Sequence, residues 1–406
     1  MDSLYGPPPS PELPAPELPA PEPHEPGRPG RSEPLGGLHE HLAWLRLALA
    51  PGLGPRLAAR AVARAGGAAQ ALRRPLSWWR ALAGSRAEAL ERHPAQADPE
   101  PVLAQLAGLG AEALTPAQAG WPVARLAALS DPPPALFLRG RLPAAAQRRV
   151  ALVGTRAASS YGLRVARELG EALARRGVCV VSGLALGIDA AAHAGALAAG
   201  VPGCATLAVL GSGLACCYPP ENAALAEAVA GAGGLLSEFP PEQPPERWQF
   251  PRRNRLVAAL AEAVVVVEAP LRSGALLTAQ EALEQGREVL AVPGPVGRPS
   301  HEGAHALLRQ QAASICTGVE DVLAALGLGS RSAAAGARSL ELPEPVPPPA
   351  GPQLALWQLL DADEARDADR LCRDSGLPPE EVAAALTALE LAGRARRLPG
   401  VGYLRA

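Results

Sequence analysis

The sequence predicts an α/β protein with a doubly wound parallel sheet, a helical domain before the sheet and a small winged-helix-like module after it. Strand-like and helix-like segments alternate from residue 148 to about 326, most predicted strands end in glycine or polar residues, and proline-rich stretches flank the alternating region. Alternation of this kind places parallel strands side by side with crossover helices, and such sheets bind ligands beyond the carboxyl ends of their strands.

Composition limits the class of protein. A chain of 406 residues is long enough for two or three domains, and 48% apolar with 19% charged residues is typical of a globular protein. All 38 basic residues are arginine and the formal net charge is -2, so the placement of arginine is more informative than its number. Because there is no signal-like start and no apolar run of about 18 residues, we expect a cytoplasmic protein without a membrane span.

The N-terminal part has two predicted regions. Residues 1–37 are proline-rich, repeat the motif PELPA and are expected to form a disordered tail. Residues 38–130 form a helical domain, in which two helices flank the turn Pro51-Gly52-Leu53-Gly54-Pro55. This pattern is SAM-like or helix-hairpin-helix-like and could offer backbone N–H groups to phosphate, but it fits a small helical bundle with a tight turn as well.

The central domain, residues 131–326, contains the alternating strands and helices. The predicted strands are Val150–Val153, Val178–Ser182, Thr206–Leu210, Leu235–Glu238, Val264–Glu268, Val289–Val292 and Ser314–Cys316. The predicted helices are Tyr161–Arg176, Ile188–Ala199, Asn222–Ala230, Asn254–Glu262, Gly274–Gln285 and Ala304–Gln311.

Glycine and polar residues follow the predicted strands. The segments are Gly154-Thr155-Arg156, Ser182-Gly183, Gly211-Ser212-Gly213, Arg272-Ser273-Gly274 and Pro293-Gly294. Glycine lets a backbone approach an anion closely, and the helix that follows presents free N–H groups and a partial positive charge. Five such segments at successive strand ends predict an anion-binding rim.

The most concentrated charge lies in the nine residues Arg247 to Arg255, which carry four arginines, Trp248, Phe250 and no acid. Arginine binds phosphate oxygens bidentately and aromatic rings stack on bases, so the segment indicates a contact for single-stranded nucleic acid. The alternative is a loop leading into a helix, with its arginines in solvent or paired with Glu242 and Glu246.

The C-terminal part begins with a linker rich in proline and alanine, residues 327–351. Residues 352–406 read as three helices and a hairpin, the order of a winged helix. The third predicted helix carries Glu380, Glu381 and Glu390, which would repel phosphate. We therefore expect this module to contact protein or to serve in packing.

The sequence offers little support for catalysis. Acid–base chemistry could be assembled from Asp189, His193, Glu238, Glu268 and Ser273. Each carboxylate also has a structural interpretation, Asp189 as a partner of free N–H groups after a glycine turn and the two glutamates as partners of the rim arginines. No phosphate-binding P-loop, zinc-protease or esterase motif is present, and the six cysteines lack CxxC spacing. We predict no catalytic residue, metal or cofactor, and keep a nucleotide-processing enzyme as the alternative.

Several ordered blocks resemble the DprA (Smf) family of DNA-processing proteins, among them VALVGTRAASSYG at 150–162, VVSGLALGIDAAAH at 180–193 and FPRRNR at 250–255. The resemblance implies an extended Rossmann domain that binds single-stranded DNA, a homodimer, and delivery of incoming strands to the RecA recombinase during natural transformation. Two departures are Leu186, where many members carry a cation, and the run from Glu302 to His305, which replaces a Gly-Thr-Asn pattern.

The rim, the arginine-rich segment and the resemblance together predict one set of DNA-contacting residues. The set is Gly154, Arg156, Ser182, Gly183, Gly211, Arg247, Phe250, Arg252, Arg253, Asn254, Arg255, Ser273 and Gly274.

Overall fold

The computed structural model describes residues 34–328, 350–361, 365–398 and 401–405. The chain divides into two compact units, Met1–Ser330 and Arg331–Ala406. Most of the expected tail, residues 1–33, and most of the expected linker, residues 329–349, lie outside the described residues. Helix α1 begins at Pro34, inside the segment expected to be disordered.

Within residues 34–328, nine strands form one sheet in the order β1-β2-β6-β5-β4-β3-β7-β8-β9. Their bounds are β1 Ala111–Leu114, β2 Leu136–Gly140, β3 Arg149–Gly154, β4 Cys179–Ser182, β5 Thr206–Val209, β6 Gly234–Ser237, β7 Ala263–Glu268, β8 Glu288–Ala291 and β9 Ser314–Ile315. Strands β3 to β9 pair in parallel, which confirms the doubly wound α/β prediction. Strands β1 and β2 were not predicted; they form an antiparallel pair in which β2 also pairs with β6.

Helices cover both faces of the sheet. Their bounds in this unit are α1 Pro34–Leu49, α2 Pro55–Ala65, α3 Ala68–Leu72, α4 Leu76–Ala83, α5 Glu100–Gly108, α6 Val123–Leu126, α7 Ser160–Arg175, α8 Ile188–Ala198, α9 Ala223–Ala232, α10 Gln249–Leu260, α11 Gly274–Glu284, α12 Glu302–Arg309 and α13 Val319–Ala325. Alternate residues of β3 point to opposite faces: Val150 and Leu152 pack against α7, α8 and α13, whereas Ala151 and Val153 pack against α10 and α11.

The N-terminal helices belong to the same compact unit as the sheet. Leu45 of α1 and Leu106 of α5 share a buried cluster with Phe137 of β2 and Leu210 after β5. Region 38–130 contains helices from α1 to α6 and also contributes strand β1. Gly52 has φ of 75°, and an added Cβ would lie 1.8 Å from the Ala89 carbonyl oxygen. Leu53 of this turn is buried, whereas Pro51, Gly52 and Gly54 are exposed, so the turn fits both interpretations.

In the described part of the C-terminal unit, three helices precede a two-stranded antiparallel hairpin. The elements are α14 Pro352–Leu359, α15 Ala368–Ser375, α16 Pro379–Leu391, β10 Ala395–Leu398 and β11 Gly402–Arg405. Leu356, Leu371, Val382 and Leu386 form the core. This is the predicted winged-helix order.

Among the described residues, no helix is both long enough and apolar enough to cross a bilayer.

Helices α7 and α8 cross so closely that glycine is required at the contact. A Cβ added to Gly195 would lie 2.1 Å from the carbonyl oxygen of Arg167. Gly195→Ala gains about 1 kcal/mol of helix propensity but forces two backbones apart, so we expect a net loss of about 1–2 kcal/mol in the free energy of unfolding, measured by urea denaturation. Gly231→Ala in α9 is the control, because its Cβ would meet nothing within 4 Å. Equal stabilities of the two variants would contradict this packing argument.

Candidate nucleic-acid interface

A cleft of about 360 Å³ lies beyond the carboxyl ends of β3, β4 and β7. Strands β3 to β6 build the sheet in one direction and β7 to β9 build it in the other, so the gap between β3 and β7 is the switch point at which doubly wound sheets bind ligands. The cleft is lined by the loops after these strands and by one face of α10: Gly154, Thr155, Arg156, Ala157, Gly183, Ala185, Asp189, Phe250, Arg253, Asn254, Pro270, Arg272, Ser273, Gly274 and Thr278 are among its residues.

Arg156 and Phe250 form the wall nearest solvent. Arg156 is exposed, and its guanidinium carbon lies 5.2 Å from the centre of the Phe250 ring. Phe250 is half-buried and lies 5.6 Å from the ring of Tyr218. Among the described residues Arg156 has no ion-pair partner within 4.0 Å. The pair therefore offers a free cation beside an aromatic face.

Arg253 forms the floor of the cleft. Its side chain is buried, and Nη1 donates hydrogen bonds to the carbonyl oxygens of Gly183 at 2.6 Å and Val209 at 2.5 Å. Burial lowers the pKa of Arg253, and the nearby Asp189 carboxylate counteracts that shift. Nε donates to Oδ1 of Asn254, whose Nδ2 donates in turn to the carbonyl of Gly274. The side chains of Arg253 and Asn254 thus connect the loops after β4, β5 and β7 through hydrogen bonds.

Two of the predicted glycines make room for side chains rather than for a ligand. A Cβ on Gly183 would lie 2.0 Å from Nη1 of Arg253, and a Cβ on Gly211 would lie 2.8 Å from Cδ1 of Phe250. Gly183 still lines the cleft, whereas Gly211 lies behind the Phe250 ring. Glycine at these strand ends is therefore required to seat the functional side chains.

The loop after β7 forms the opposite wall. Ser273 caps α11, because its Oγ accepts a hydrogen bond from the backbone N–H of Ala275 at 3.2 Å. Gly274 is exposed at the first turn of α11, which opens into the cleft, where its backbone N–H and the helix dipole favour an anion. Arg272 is exposed on the same wall. The predicted set omitted Arg272, although its position in a strand-end segment was visible in the sequence.

Five residues of the predicted set do not line the cleft. They are Ser182, Gly211, Arg247, Arg252 and Arg255. Ser182 is buried and donates to the carbonyl of Leu152. Arg247 lies in solvent.

Arg252 and Arg255 instead bind a buried carboxylate. Glu238 contacts Arg252 at 2.9 Å and Arg255 at 2.5 Å, and Asp131 lies 3.6 Å from Arg255. Burial raises the pKa of Glu238, and the two guanidinium groups counteract that shift. Neither Glu242 nor Glu246 forms an ion pair with these arginines among the described residues; Glu246 accepts a hydrogen bond from the indole N–H of Trp248. The expectation that Glu238 holds rim arginines is confirmed.

The helical spacing of α10 explains which residues of the arginine-rich segment line the cleft and which do not. Helix α10 begins at Gln249, five residues earlier than predicted, so the arginine segment is mostly helical. Phe250, Arg253, Asn254 and Val257 follow the i, i+3, i+4, i+7 spacing of one helix face, and all four line the cleft. The sequence contained this signal, but the prediction began the helix at Asn254.

The candidate acid–base residues are separated. Asp189 and Ser273 line the cleft, whereas the ring Nδ1 of His193 is 2.7 Å from Oγ1 of Thr206, and burial lowers the pKa of that histidine to about 3. Asp189 accepts hydrogen bonds from the N–H groups of Gly183 and Ala185, as expected for a partner of free amides.

Glu268 does not hold an arginine among the described residues, so that expectation is wrong. Its Oε2 accepts from the backbone and hydroxyl of Ser159, and Oε1 lies 3.8 Å from Nε2 of His301. The reason is that β7 ends beside the first turn of α7, where Ser159 is the cap.

The structure shows where the two departures from the family pattern, Leu186 and the run ending at His305, lie. Leu186 is 39% exposed and, with Tyr218 and Pro219, lines a pocket of about 40 Å³ on the other side of Phe250. His305 lies with Nε2 3.0 Å from the carbonyl oxygen of Gly294. Among the described residues no group of three or more His, Cys, Asp or Glu side chains could hold a metal ion.

The cleft carries an excess of positive charge. Three arginines, Arg156, Arg253 and Arg272, line it together with one carboxylate, Asp189, whose pKa is raised by burial. A doubly wound sheet with such a cleft at its switch point defines a Rossmann-type protein whose candidate site is suited to an anion.

Comparison with known proteins identifies the family. Residues 112–327 match the family model of DNA recombination-mediator protein A, and residues 340–401 match that of the DprA winged helix domain. The chain belongs to the DNA recombination-mediator protein A (DprA, Smf) family, which confirms the resemblance seen in the sequence.

Individual relatives cover most of the chain. It is 43% identical over 297 residues to Protein Smf of Escherichia coli, covering 72% of this chain and 77% of that protein. It is 41% identical to a putative DNA processing protein DprA of Mycobacterium tuberculosis, covering 70% and 75%. The X-ray structure of DprA from Streptococcus pneumoniae matches with a TM-score of 0.60 at 31% identity and covers 70% of this chain and 97% of that one.

The Glu238 cluster yields a stability prediction. Arg255→Ala removes one partner of a buried carboxylate, and we expect the free energy of unfolding at pH 7 to fall by about 3–5 kcal/mol. Burial already raises the folded pKa of Glu238, and loss of Arg255 raises it further. Protonation of Glu238 therefore favours the folded state of the variant, and the deficit should shrink as the pH falls.

Denaturant titrations at several pH values measure this effect. Arg247→Ala is the control, since Arg247 is exposed and forms no ion pair among the described residues. An Arg255→Ala variant as stable as the control would contradict the structural role of Arg255 as a partner of the buried Glu238.

Proposed function

We propose that the protein binds single-stranded DNA in the switch-point cleft, and that it acts in the cytoplasm as a homodimer that protects incoming strands and loads RecA during natural transformation. The observation that carries the binding proposal is the free Arg156 cation against the Phe250 ring, opposite the open first turn of α11. The partners and the process follow from the family resemblance.

The chemistry of the cleft favours exposed nucleotides over a duplex. A volume of about 360 Å³ is near the lower end of small-ligand sites and cannot admit a double helix. Phe250 and Tyr218 present ring surface that only an unstacked base can reach. Phosphate oxygens match Arg156, Arg272 and the backbone N–H of Gly274 at the start of α11.

A nucleotide-processing enzyme remains the second candidate, because Asp189 and Ser273 line the cleft. Asp189, however, is engaged by two backbone N–H groups, and Ser273 Oγ accepts from the Ala275 N–H. Neither is hydrogen-bonded to a histidine or a second carboxylate that would activate it, among the described residues. These contacts favour binding over turnover.

Binding isotherms for an oligonucleotide length series at two salt concentrations test the proposal. A single-strand binder shows affinity that rises with length and falls steeply with salt, with the oligonucleotide recovered intact. Release of mononucleotide products would favour the enzyme. Affinity that depends on neither length nor salt would exclude the cleft as a single-strand site.

Arg156→Ala and Phe250→Ala should affect binding differently. Loss of Arg156 removes one phosphate contact, so the slope of log affinity against log salt should flatten by about 0.7. Loss of Phe250 removes stacking worth about 1–3 kcal/mol and should leave the slope nearly unchanged. Arg175→Ala, at the far end of α7, is the matched control. An unchanged slope in folded Arg156→Ala, or a large loss of thermal stability in Phe250→Ala, would contradict these roles.

A chain ending at Leu328 should retain most single-strand affinity. Every residue that lines the cleft precedes that position, and Glu380 and Glu381 of α16 are exposed acids that repel phosphate. The comparison is between dissociation constants of the full and the shortened chain. A tenfold loss, about 1.4 kcal/mol, would show that the winged-helix module contacts DNA.

A further inference from the structure

Trp248 is an exposed aromatic residue held in one orientation. About 51% of its surface lies in solvent. Its indole N–H donates to Oε2 of Glu246 at 2.7 Å, and the ring centres of Phe239 and Trp248 are 5.7 Å apart at an interplanar angle of 83°. The guanidinium carbon of Arg252 is 5.7 Å from the same ring centre. The ring is fixed on one side and open on the other.

These contacts suit recognition better than packing. A tryptophan used for stability is mostly buried, whereas half of this ring remains in water. A ring whose orientation is already fixed loses little conformational entropy when a planar ligand stacks on it. Arg247, the preceding residue, is an exposed cation without an ion pair among the described residues. A nucleotide fits this arrangement, because its flat, uncharged base can stack on the open indole face and its phosphate can pair with Arg247.

The position of Trp248 continues the row of contacts along the sheet edge. Phe239, which supports Trp248, follows β6; Phe250 covers Gly211 after β5; Arg156 follows β3. Because the strand order is β6-β5-β4-β3, these groups are laid out in sequence across the carboxyl edge. Trp248 and Phe250 are two residues apart, so their Cα atoms lie within about 7 Å.

We propose that Trp248 is a second base-stacking platform, which extends the single-strand site from Phe250 toward the β6 side of the sheet. The inference rests on the proposed single-strand binding. A nucleotide adjacent to the one held at Phe250 stacks on the open indole face, and Arg247 attracts its phosphate.

The test compares the full-length protein with Trp248→Ala, Trp248→Phe, Phe250→Ala and Leu283→Ala. Leu283 is 43% exposed on α11 and controls for the loss of exposed apolar surface. The ligands are thymidine 5′-monophosphate, a thymidine dodecamer and an abasic dodecamer. Tryptophan fluorescence of the wild type and of Trp248→Phe is followed during each titration.

For Trp248→Ala we expect dodecamer affinity to fall about 5- to 150-fold, the equivalent of 1–3 kcal/mol, with the affinity for the mononucleotide at Phe250 unchanged. Trp248→Phe keeps most of the affinity and loses the quenching that the dodecamer causes in the wild type. On the abasic dodecamer the wild type and Trp248→Ala bind equally.

Three results would overturn the platform. In the first, Trp248→Ala binds the dodecamer as tightly as the wild type does. In the second, Trp248→Ala loses affinity equally for all three ligands. In the third, the dodecamer quenches the fluorescence of Trp248→Phe as much as that of the wild type. If Phe250→Ala still weakens binding in those cases, the proposed function stands without the platform. If Phe250→Ala and Trp248→Ala both bind like Leu283→Ala, the proposed function fails as well.

Discussion

The buried guanidinium of Arg253 is the interaction on which the candidate site depends. It bonds the carbonyl oxygens at the ends of β4 and β5 and, through Asn254, the loop after β7. Arginine keeps its charge under these conditions because carbonyl oxygens satisfy its N–H groups and its unperturbed pKa is far above neutrality. The same group therefore fixes three loops and contributes positive potential to the cleft. Glycine at 183 is the steric condition for this arrangement.

Helix α10 separates two kinds of arginine within one short segment. Its cleft face presents Phe250, Arg253 and Asn254, while Arg252 and Arg255 turn to the buried Glu238. A buried carboxylate requires close cationic partners, so those two arginines orient the helix. Free cationic charge comes instead from strand-end loops, at Arg156 and Arg272. Most arginines of this segment thus hold the structure of the site together, and the cations available to a ligand lie in the loops around it.

Much of the fold was predictable because parallel strands buried on both faces are short apolar runs bounded by glycine. All seven parallel strands were predicted to within two residues at either end. Strands β1 and β2 were missed because AEAL and LFLRG are too short for an alternating pattern to distinguish them from helix, although Pro132-Pro133-Pro134 and Gly140 bound β2. Eight of the residues predicted to contact DNA line the cleft. That Arg252 and Arg255 both pair with Glu238 was harder to predict, because Glu238 lies more than ten positions away and only the fold brings it near.

The central claim is that the face of α10 carrying Phe250, together with Arg156 and the first turn of α11, forms one single-strand site. A crystal structure of the protein with a short thymidine oligonucleotide tests it most directly. The account predicts a base against the Phe250 ring and a phosphate within hydrogen-bonding distance of Arg156 or of the N–H group of Gly274. An oligonucleotide bound elsewhere, with the switch-point cleft empty, would contradict it.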